Sequence, residues 1–260
     1  MPRPPRPAAD AAPMGEQIKQ AARAQMVQHG TAGISLRGIA RELDITAPAI
    51  YNYYPRLDDL ITALIVDAFT ALADAIYAAE AAAASESYGS RILASCLAYR
   101  EWATAHPVDF QLIYGNPIPG YVAPAEITIP LARRPFDGLF RLFLEAYEAG
   151  ELVIPAEYAS VPPGVTAHVA TWLPVALGLP EAGNAFPDPL LCLLMSGWAR
   201  IHGMVMLELF EHLGPVVGDT AAFYRYELEA FMQRLGLKTT NGTPAPARQR
   251  RRGARADARG

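Results

Sequence analysis

Between Gly30 and Pro55 the spacing of apolar residues and turn signals admits very few structures. Ser35 stands ahead of Leu36, Ile39, Ala40 and Leu43, an i, i+3, i+4, i+7 stripe of helical period with a capping oxygen at its head. Asp44-Ile45 breaks the stripe. Thr46 then opens another helix whose Pro48 falls in the first turn, where a missing N–H has no helical bond to lose. Pro55 closes that helix after about two turns, near Asn52 or Tyr53. Upstream, Ile18, Ala21, Ala22 and Met26 form the stripe of a preceding helix that stops at His29-Gly30, where glycine can supply a left-handed cap. Two short helices around a tight turn, preceded by a third, leave no place for a strand.

The rest of the chain continues in the same way. From Leu57 to about Ala84 there is neither Gly nor Pro, and Asp58 and Asp59 sit where a helix N-terminal dipole favours acid, so one long helix is expected to link two domains. Further helical stretches are expected over Tyr88–Ala105, Val108–Tyr114, Pro130–Ala149, Val165–Ala176, Pro189–Leu213 and Thr220–Leu235. Irregular segments at Gly115–Pro130, Gly150–Gly164 and Leu179–Pro189 are either variable loops or functional lids. Alternating period-2 runs are hard to find, so the predicted class is all-α. The predicted organisation is an arm at 1–14, a three-helix unit at 15–56, a larger helical domain at 57–236 and a basic tail at 237–260.

Charge follows that division. Residues 57–236 carry eight basic and twenty-one acidic side chains, whereas 237–260 carry seven basic and one acidic, and 15–56 five basic and three acidic. A basic front and tail on an acidic body suit a protein that presents one end to a polyanion. The Arg3/Arg6 arm and the Arg248–Arg259 tail are either plain disordered ends or added phosphate contacts. Cys96 and Cys192 form no CxxC pair and have no neighbouring metal-ligand spacing, so no metal or other cofactor is expected and a reducing cytoplasm fits. The proline-broken start does not read as a signal peptide. Leu190–Leu207 reaches spanning length but holds Arg200 and His202, so a buried helix is expected rather than a membrane segment. No GxSxG elbow, phosphate-binding glycine loop or HExxH is present, and with no placed nucleophile and base the chain is not expected to be an enzyme.

The stretch Thr31–Leu64 resembles the DNA-binding domain of the TetR family in order and spacing. The match runs through His29-Gly30, Ser35-Leu36-Arg37, Ile39-Ala40, Ile45-Thr46, Ile50-Tyr51 and Tyr54-Pro55. Trp198 followed by His202-Gly203 resembles a C-terminal regulatory domain found in the same family. The resemblance implies about nine or ten helices, a homodimer built largely by the last two, an effector cavity in the C-terminal domain, and paired heads on double-stranded operator DNA. Carried over by position, it implies DNA contacts from Ser35, Arg37, Thr46, Ala47, Ala49, Tyr51, Asn52 and Tyr53, with Arg56 supplying a phosphate contact that Leu57 lacks. Asp44 stands where the family usually has Gly, and Asp enters the left-handed region more easily than most residues. Ile50 and Tyr54 fall on the buried side.

For a small-molecule effector the residues to search are Trp102, Phe110, Tyr114, Phe140, Phe143, Tyr147, Trp172, Trp198 and His202, which are equally the stuff of an ordinary core. For the dimer, Leu194, Trp198, Ile201, Val205 and Leu209 form one stripe and Phe223, Leu228, Phe231 and Leu235 another. Either stripe serves a core as well as an interface. Because Ala47-Pro48-Ala49 offers few long polar side chains, the alternative is a small-molecule-binding scaffold without specific DNA binding.

Overall fold

A computed structural model describes residues 13–167 and 187–239. Its helices are α1 (Met14–His29), α2 (Leu36–Glu42), α3 (Ala47–Tyr53), α4 (Leu57–Ala82), α5 (Tyr88–Ala105), α6 (Pro107–Tyr114), α7 (Ala125–Glu148), α8 (Asp188–Leu209), α9 (Gly214–Val217) and α10 (Thr220–Arg234). Short 3₁₀ turns lie at Thr31–Gly33 and Ala156–Tyr158, and there is no strand among the described residues.

Two apolar cores organise these helices, and α4 belongs to both. Its first half gives Leu60, Ile61, Leu64, Ile65 and Phe69 to a core shared with Ile18, Ala22, Met26, Leu36, Ile39 and Ile50. Its second half gives Ala68, Leu72 and Ile76 to a larger core with Ile92, Tyr99, Phe110, Leu142, Leu194, Val205 and Tyr224. The helix is therefore a rigid strut between an N-terminal head and a C-terminal body. Full burial of one large apolar side chain is worth about 1.5–3 kcal/mol, so each half of α4 is firmly fixed to its own core. Both α4 and α8 have the length and hydropathy to cross a membrane, but 50% and 39% of their apolar windows are buried in these cores.

Several boundaries differ from the sequence reading. The seventh helix begins at Ala125 rather than Pro130: Pro124 precedes the first turn, Glu126 meets its dipole, and the Thr128 hydroxyl donates to the Pro124 carbonyl at 3.1 Å. Pro130 and Pro135 lie inside α7, where burial of Gly138, Phe140, Leu142, Phe143 and Ala146 compensates for their missing donors. Gly138 packs closely against α4 there: a Cβ at this position would meet Glu80 Oε2 at 2.8 Å, so that carboxylate would have to shift. Glu80, buried on α4, accepts from Arg91 at 2.9 Å and Arg141 at 3.3 Å, tying α4, α5 and α7 together. The α8 helix ends at Leu209 instead of Leu213, since Glu211 adopts φ 59 and His212 N–H bonds back to the Leu207 carbonyl. The packed body also runs past the expected 236 boundary: Leu237 is buried and the Lys238 carbonyl accepts from Ser87 at 2.6 Å. The helix expected over Val165–Ala176 lies largely outside the described residues.

Candidate nucleic-acid interface and effector region

The head is built as the local chemistry requires. Ser35 takes an extended conformation and its Oγ accepts the Gly38 N–H at 3.3 Å, capping α2. Asp44 occupies the left-handed region at φ 53 and turns the chain, and the Ile45 N–H bonds to the Ala40 carbonyl at 3.0 Å. Thr46 sits at the N-cap position of α3, but its side chain makes no capping bond; the backbone carbonyl alone receives Ala49 N–H at 2.9 Å. Ile50 is fully buried, which fixes the roll of the seven-residue α3. Consequently Tyr51 and Tyr53, 40% and 51% exposed, stand outward with Asn52, while Tyr54 turns in against the head core. Ser35, Arg37 and Thr46 are also exposed, and Ala49 is half-buried.

Arg56 is exposed but not free. Its guanidinium bonds Asp59 at 2.8 Å and its backbone N–H donates to Asp59 Oδ2 at 3.0 Å, closing the first turn of α4. The bond holds Asp59 below the ordinary carboxylate value and raises Arg56. Gln25 was not visible in the sequence pattern: its Oε1 accepts the Ser35 N–H at 3.1 Å and locks the entry of α2 to α1.

The head is joined to the body by ions as well as by α4. Arg23 of α1 bonds Asp109 of α6 at 2.9 and 3.2 Å and lies 3.5 Å from Asp67 of α4. Lys19 bonds the same Asp67 at 2.7 Å and Glu16 at 2.7 Å. Burial opposes its charge, but the bonds to Asp67 and Glu16 outweigh it and raise its pKa. No spacing rule pairs Arg23 with Asp109, 86 positions away.

In the body, most of the searched aromatics come together. Phe110 and Tyr114 of α6 and Trp198 and His202 of α8 pack edge-on or tilted around Tyr99, with neighbouring ring centres 5.1–6.5 Å apart. Phe136, which the sequence reading did not single out, joins Trp198 at 6.0 Å and Phe140 at 6.1 Å. Burial lowers the His202 pKa and strongly raises that of Tyr99, so both groups are neutral, and the Tyr99 hydroxyl and His202 Nδ1 share a hydrogen bond at 2.8 Å. The Tyr114 hydroxyl is buried without a hydrogen-bond partner. Packing is nearly complete: beside Phe140, Phe143 and Trp198 the void measures about 20 Å³, room for roughly one water. Trp102 stands apart, stacked on His106 at 5.1 Å; Tyr147 is on the surface; Trp172 lies outside the described residues.

A larger space lies elsewhere. A cleft of about 420 Å³ opens between α4, α6, α7 and the Gly115–Pro124 connection, lined by Ile65, Phe69, Leu112, Ile113, Ile118, Tyr121, Thr128, Ile129 and Ala132 among others. None of the aromatics searched from the sequence lines it. Its signal was a loop and the front of a helix whose start was misplaced.

The last long helices also separate core from surface differently than their stripes suggested. Leu194, Ile201, Val205 and Leu228 are buried within the protomer, and Leu209, Phe223 and Phe231 pack partly against the same core. The outward faces carry Ser196, Ala199, Leu207 and Phe210 on α8 and its end, and Ala222 and Tyr226 on α10, with Tyr226 65% exposed. Arg200 and Glu227 link the two helices at 2.7 Å. No group of His, Cys, Asp and Glu able to hold a metal occurs among the described residues.

Comparison with known proteins places both parts. Residues 18–64 match the family model described as bacterial regulatory proteins, tetR family, and residues 92–231 match the tetracyclin repressor-like C-terminal domain. The HTH-type transcriptional regulators Rv1816 of Mycobacterium tuberculosis and Mb1846 of Mycobacterium bovis are each 32% identical over 197 residues, covering 76% of this chain and 81% of theirs. The crystal structure of regulatory protein SCO4313 superposes with a TM-score of 0.64 at 29% identity, covering 85% of this chain and 95% of that one. A protein of unknown function from Rhodococcus sp. RHA1 shares the fold at the same TM-score of 0.64 and 19% identity, over 89% of this chain and 100% of its own.

Proposed function

The chain belongs to the TetR family of helix-turn-helix transcriptional regulators, and we propose that it acts as a dimeric repressor released from a two-fold symmetric operator by a small molecule. The observation that carries the reading is the roll of α3. Buried Ile50 turns Tyr51, Asn52 and Tyr53 outward beside exposed Ser35, Arg37 and Thr46. In a major groove about 12 Å wide, α3 enters with Thr46 and Ala49 towards base edges and the tyrosine hydroxyls on phosphates. Arg56 contacts phosphate only by sharing its charge with Asp59. With so few long polar side chains on α3, sequence-dependent DNA shape contributes to specificity.

Dimerisation is assigned to the outward faces of α8 and α10. Small Ser196, Ala199 and Ala222 allow close approach, and Leu207, Phe210 and Tyr226 supply the apolar area; an isologous contact sets the two heads on half-sites of matching symmetry. The protein works in the cytoplasm without catalysis, its output being the occupancy of DNA.

Tyr51→Ala and Asn52→Ala test the reading. Each is expected to weaken binding to the operator at least tenfold, about 1.4 kcal/mol, with helix content and oligomeric state unchanged. Unchanged affinity in both variants would remove α3 from the interface. The unassuming Ala47-Pro48-Ala49 front favours one competing reading, a ligand-binding scaffold without specific DNA recognition. Equal affinity for selected and competitor duplexes would establish it.

A further inference from the structure

Residues 239–260 hold six arginines, at 248, 250, 251, 252, 255 and 259, against a single acid, Asp257. The structure fixes where that stretch starts. Beyond α10 the Val153 N–H bonds the Leu235 carbonyl at 2.8 Å, Leu237 is buried, and the Ser87 hydroxyl, which also caps α5, donates to the Lys238 carbonyl at 2.6 Å. A Cβ at Gly89 would collide with that same carbonyl, so a glycine is what lets the chain pass so closely. Lys238 is thereby pinned to the first turn of α5, and the 2.9 Å bond from Arg91 to Glu80 sets that end of α5 against the last turns of α4. The opposite end of α4 is in the head. Its 26 residues, at about 1.5 Å each, put about 39 Å between the two ends. We propose that the arginines of residues 248–259 hold a second DNA duplex at the pole of the body opposite the head, so that one regulator bridges two DNA segments. The bridge rests on the DNA-binding reading for its first duplex; the arginine contact does not.

Reach separates this from a simple strengthening of the head's grip. Ten residues lead from Lys238 to Arg248, a span of at most about 33–36 Å even at full extension, which falls short of the head end of α4. A chain of ten to twenty-one residues spans on average only about 16–27 Å, so the later arginines also favour the distal pole. The body itself repels a polyanion: residues 57–236 carry twenty-one acidic and eight basic side chains, and near the anchor exposed Glu86 adjoins Ser87 while exposed Glu151 lies beside Gly236. At physiological salt such charge is screened beyond about 8 Å, so a duplex held about 16 Å or more from the anchor lies outside it.

Composition selects the partner. Residues 239–260 contain no aromatic side chain on which an unpaired base stacks and no aliphatic one larger than proline to enter a lipid or protein core. What they offer is guanidinium charge for phosphates, and a regulator already on DNA has duplex phosphate as its most abundant neighbour. The contact carries no sequence information and depends steeply on salt.

The test is two-colour fluorescence cross-correlation with the full chain. One dye marks a duplex carrying the symmetric site recovered by selection, the other a scrambled duplex of equal length. The chain should join the two colours at about 50 mM salt, and its affinity for the scrambled partner should fall about a thousandfold by about 200 mM, as the release of about six phosphate contacts requires. Changing all six arginines to glutamine together should abolish the joint signal, with circular dichroism unchanged and affinity for the site duplex kept within about threefold. A joint signal that survives in the glutamine variant would come from the heads and overturn the proposal. So would its absence from the unaltered chain: site binding at least about tenfold weaker in the variant puts the arginines on the head's own duplex, and unchanged site binding leaves them on the acidic body. Absence of any preference for the selected site, with capture of the scrambled duplex still lost in the glutamine variant, is the separate failure of the regulator reading, which removes the first duplex and with it the bridge.

Discussion

Arg23 and Asp109 offer the sharpest energetic test of how head and body are joined. Their side chains are 28% and 13% exposed and meet at 2.9 Å, a geometry between a surface ion pair and a buried one. Exposed pairs couple by about 0.2–1 kcal/mol, whereas removing one partner of a fully buried pair costs about 3–5 kcal/mol. Two unit charges about 4 Å apart near a protein surface attract by about 4 kcal/mol before desolvation is subtracted. Asp67, 3.5 Å from the same guanidinium, continues to hold Arg23 when Asp109 is neutralised, which reduces the penalty of the single change. A coupling of about 1–2 kcal/mol follows. The assay is a double-mutant cycle of Arg23→Gln and Asp109→Asn on urea unfolding, with equal denaturant slopes as the check that the unfolded state is unchanged. Because the pair is partly shielded, the coupling should persist at 0.5 M salt, where the Debye length has fallen to about 4–5 Å. A coupling below about 0.3 kcal/mol would refute the bridge as an energetic link and reduce it to a surface contact.

Other outcomes follow from the same packing. Phe110, fully buried among Tyr99, Tyr114 and His202, should lose about 3–5 kcal/mol of stability on change to Ala, measured by denaturant midpoint. Burial lowers the His202 pKa from its ordinary 6.5, so the unfolded chain takes up this proton first. Stability from this site is accordingly whole above about pH 6.5 and falls as pH drops through that value, and His202→Gln should flatten the unfolding midpoint between about pH 5 and 7. Ala199→Glu and Tyr226→Glu, on the outward faces of α8 and α10, should each yield folded monomer in analytical ultracentrifugation; an unchanged dimer in both would move the interface elsewhere.

What could be read from the sequence was what local chemistry decides. Ser35 caps α2 and was visible because its partner Gly38 lies three positions on, while the left-handed Asp44 and the buried Ile50 were legible through the family resemblance. The all-α class followed from helical period and from the long stretch without Gly or Pro. What escaped was decided at long range. The apolar stripe of Leu194, Ile201 and Val205 was found, but periodicity does not say whether a stripe faces its own core or another chain, and here it faces its own. The front of α7 was read as loop because Pro130 suggests a boundary, whereas Pro124 ahead of the first turn, Glu126 at the helix dipole and the Thr128 hydroxyl on the Pro124 carbonyl start the helix at Ala125. That one shift hid the junction cleft, whose walls come from helices distant in sequence. The Arg23–Asp109 bridge and the Gln25 lock on Ser35 were invisible for the same reason.

The most direct measurement of the central claim is selection of the purified protein against a randomised duplex pool at near-physiological salt, with sequencing of the bound DNA. The account expects enrichment of a two-fold symmetric site whose half-sites are both protected, with enrichment lost in Tyr51→Ala. Binding that is salt-sensitive but shows no sequence preference would contradict it.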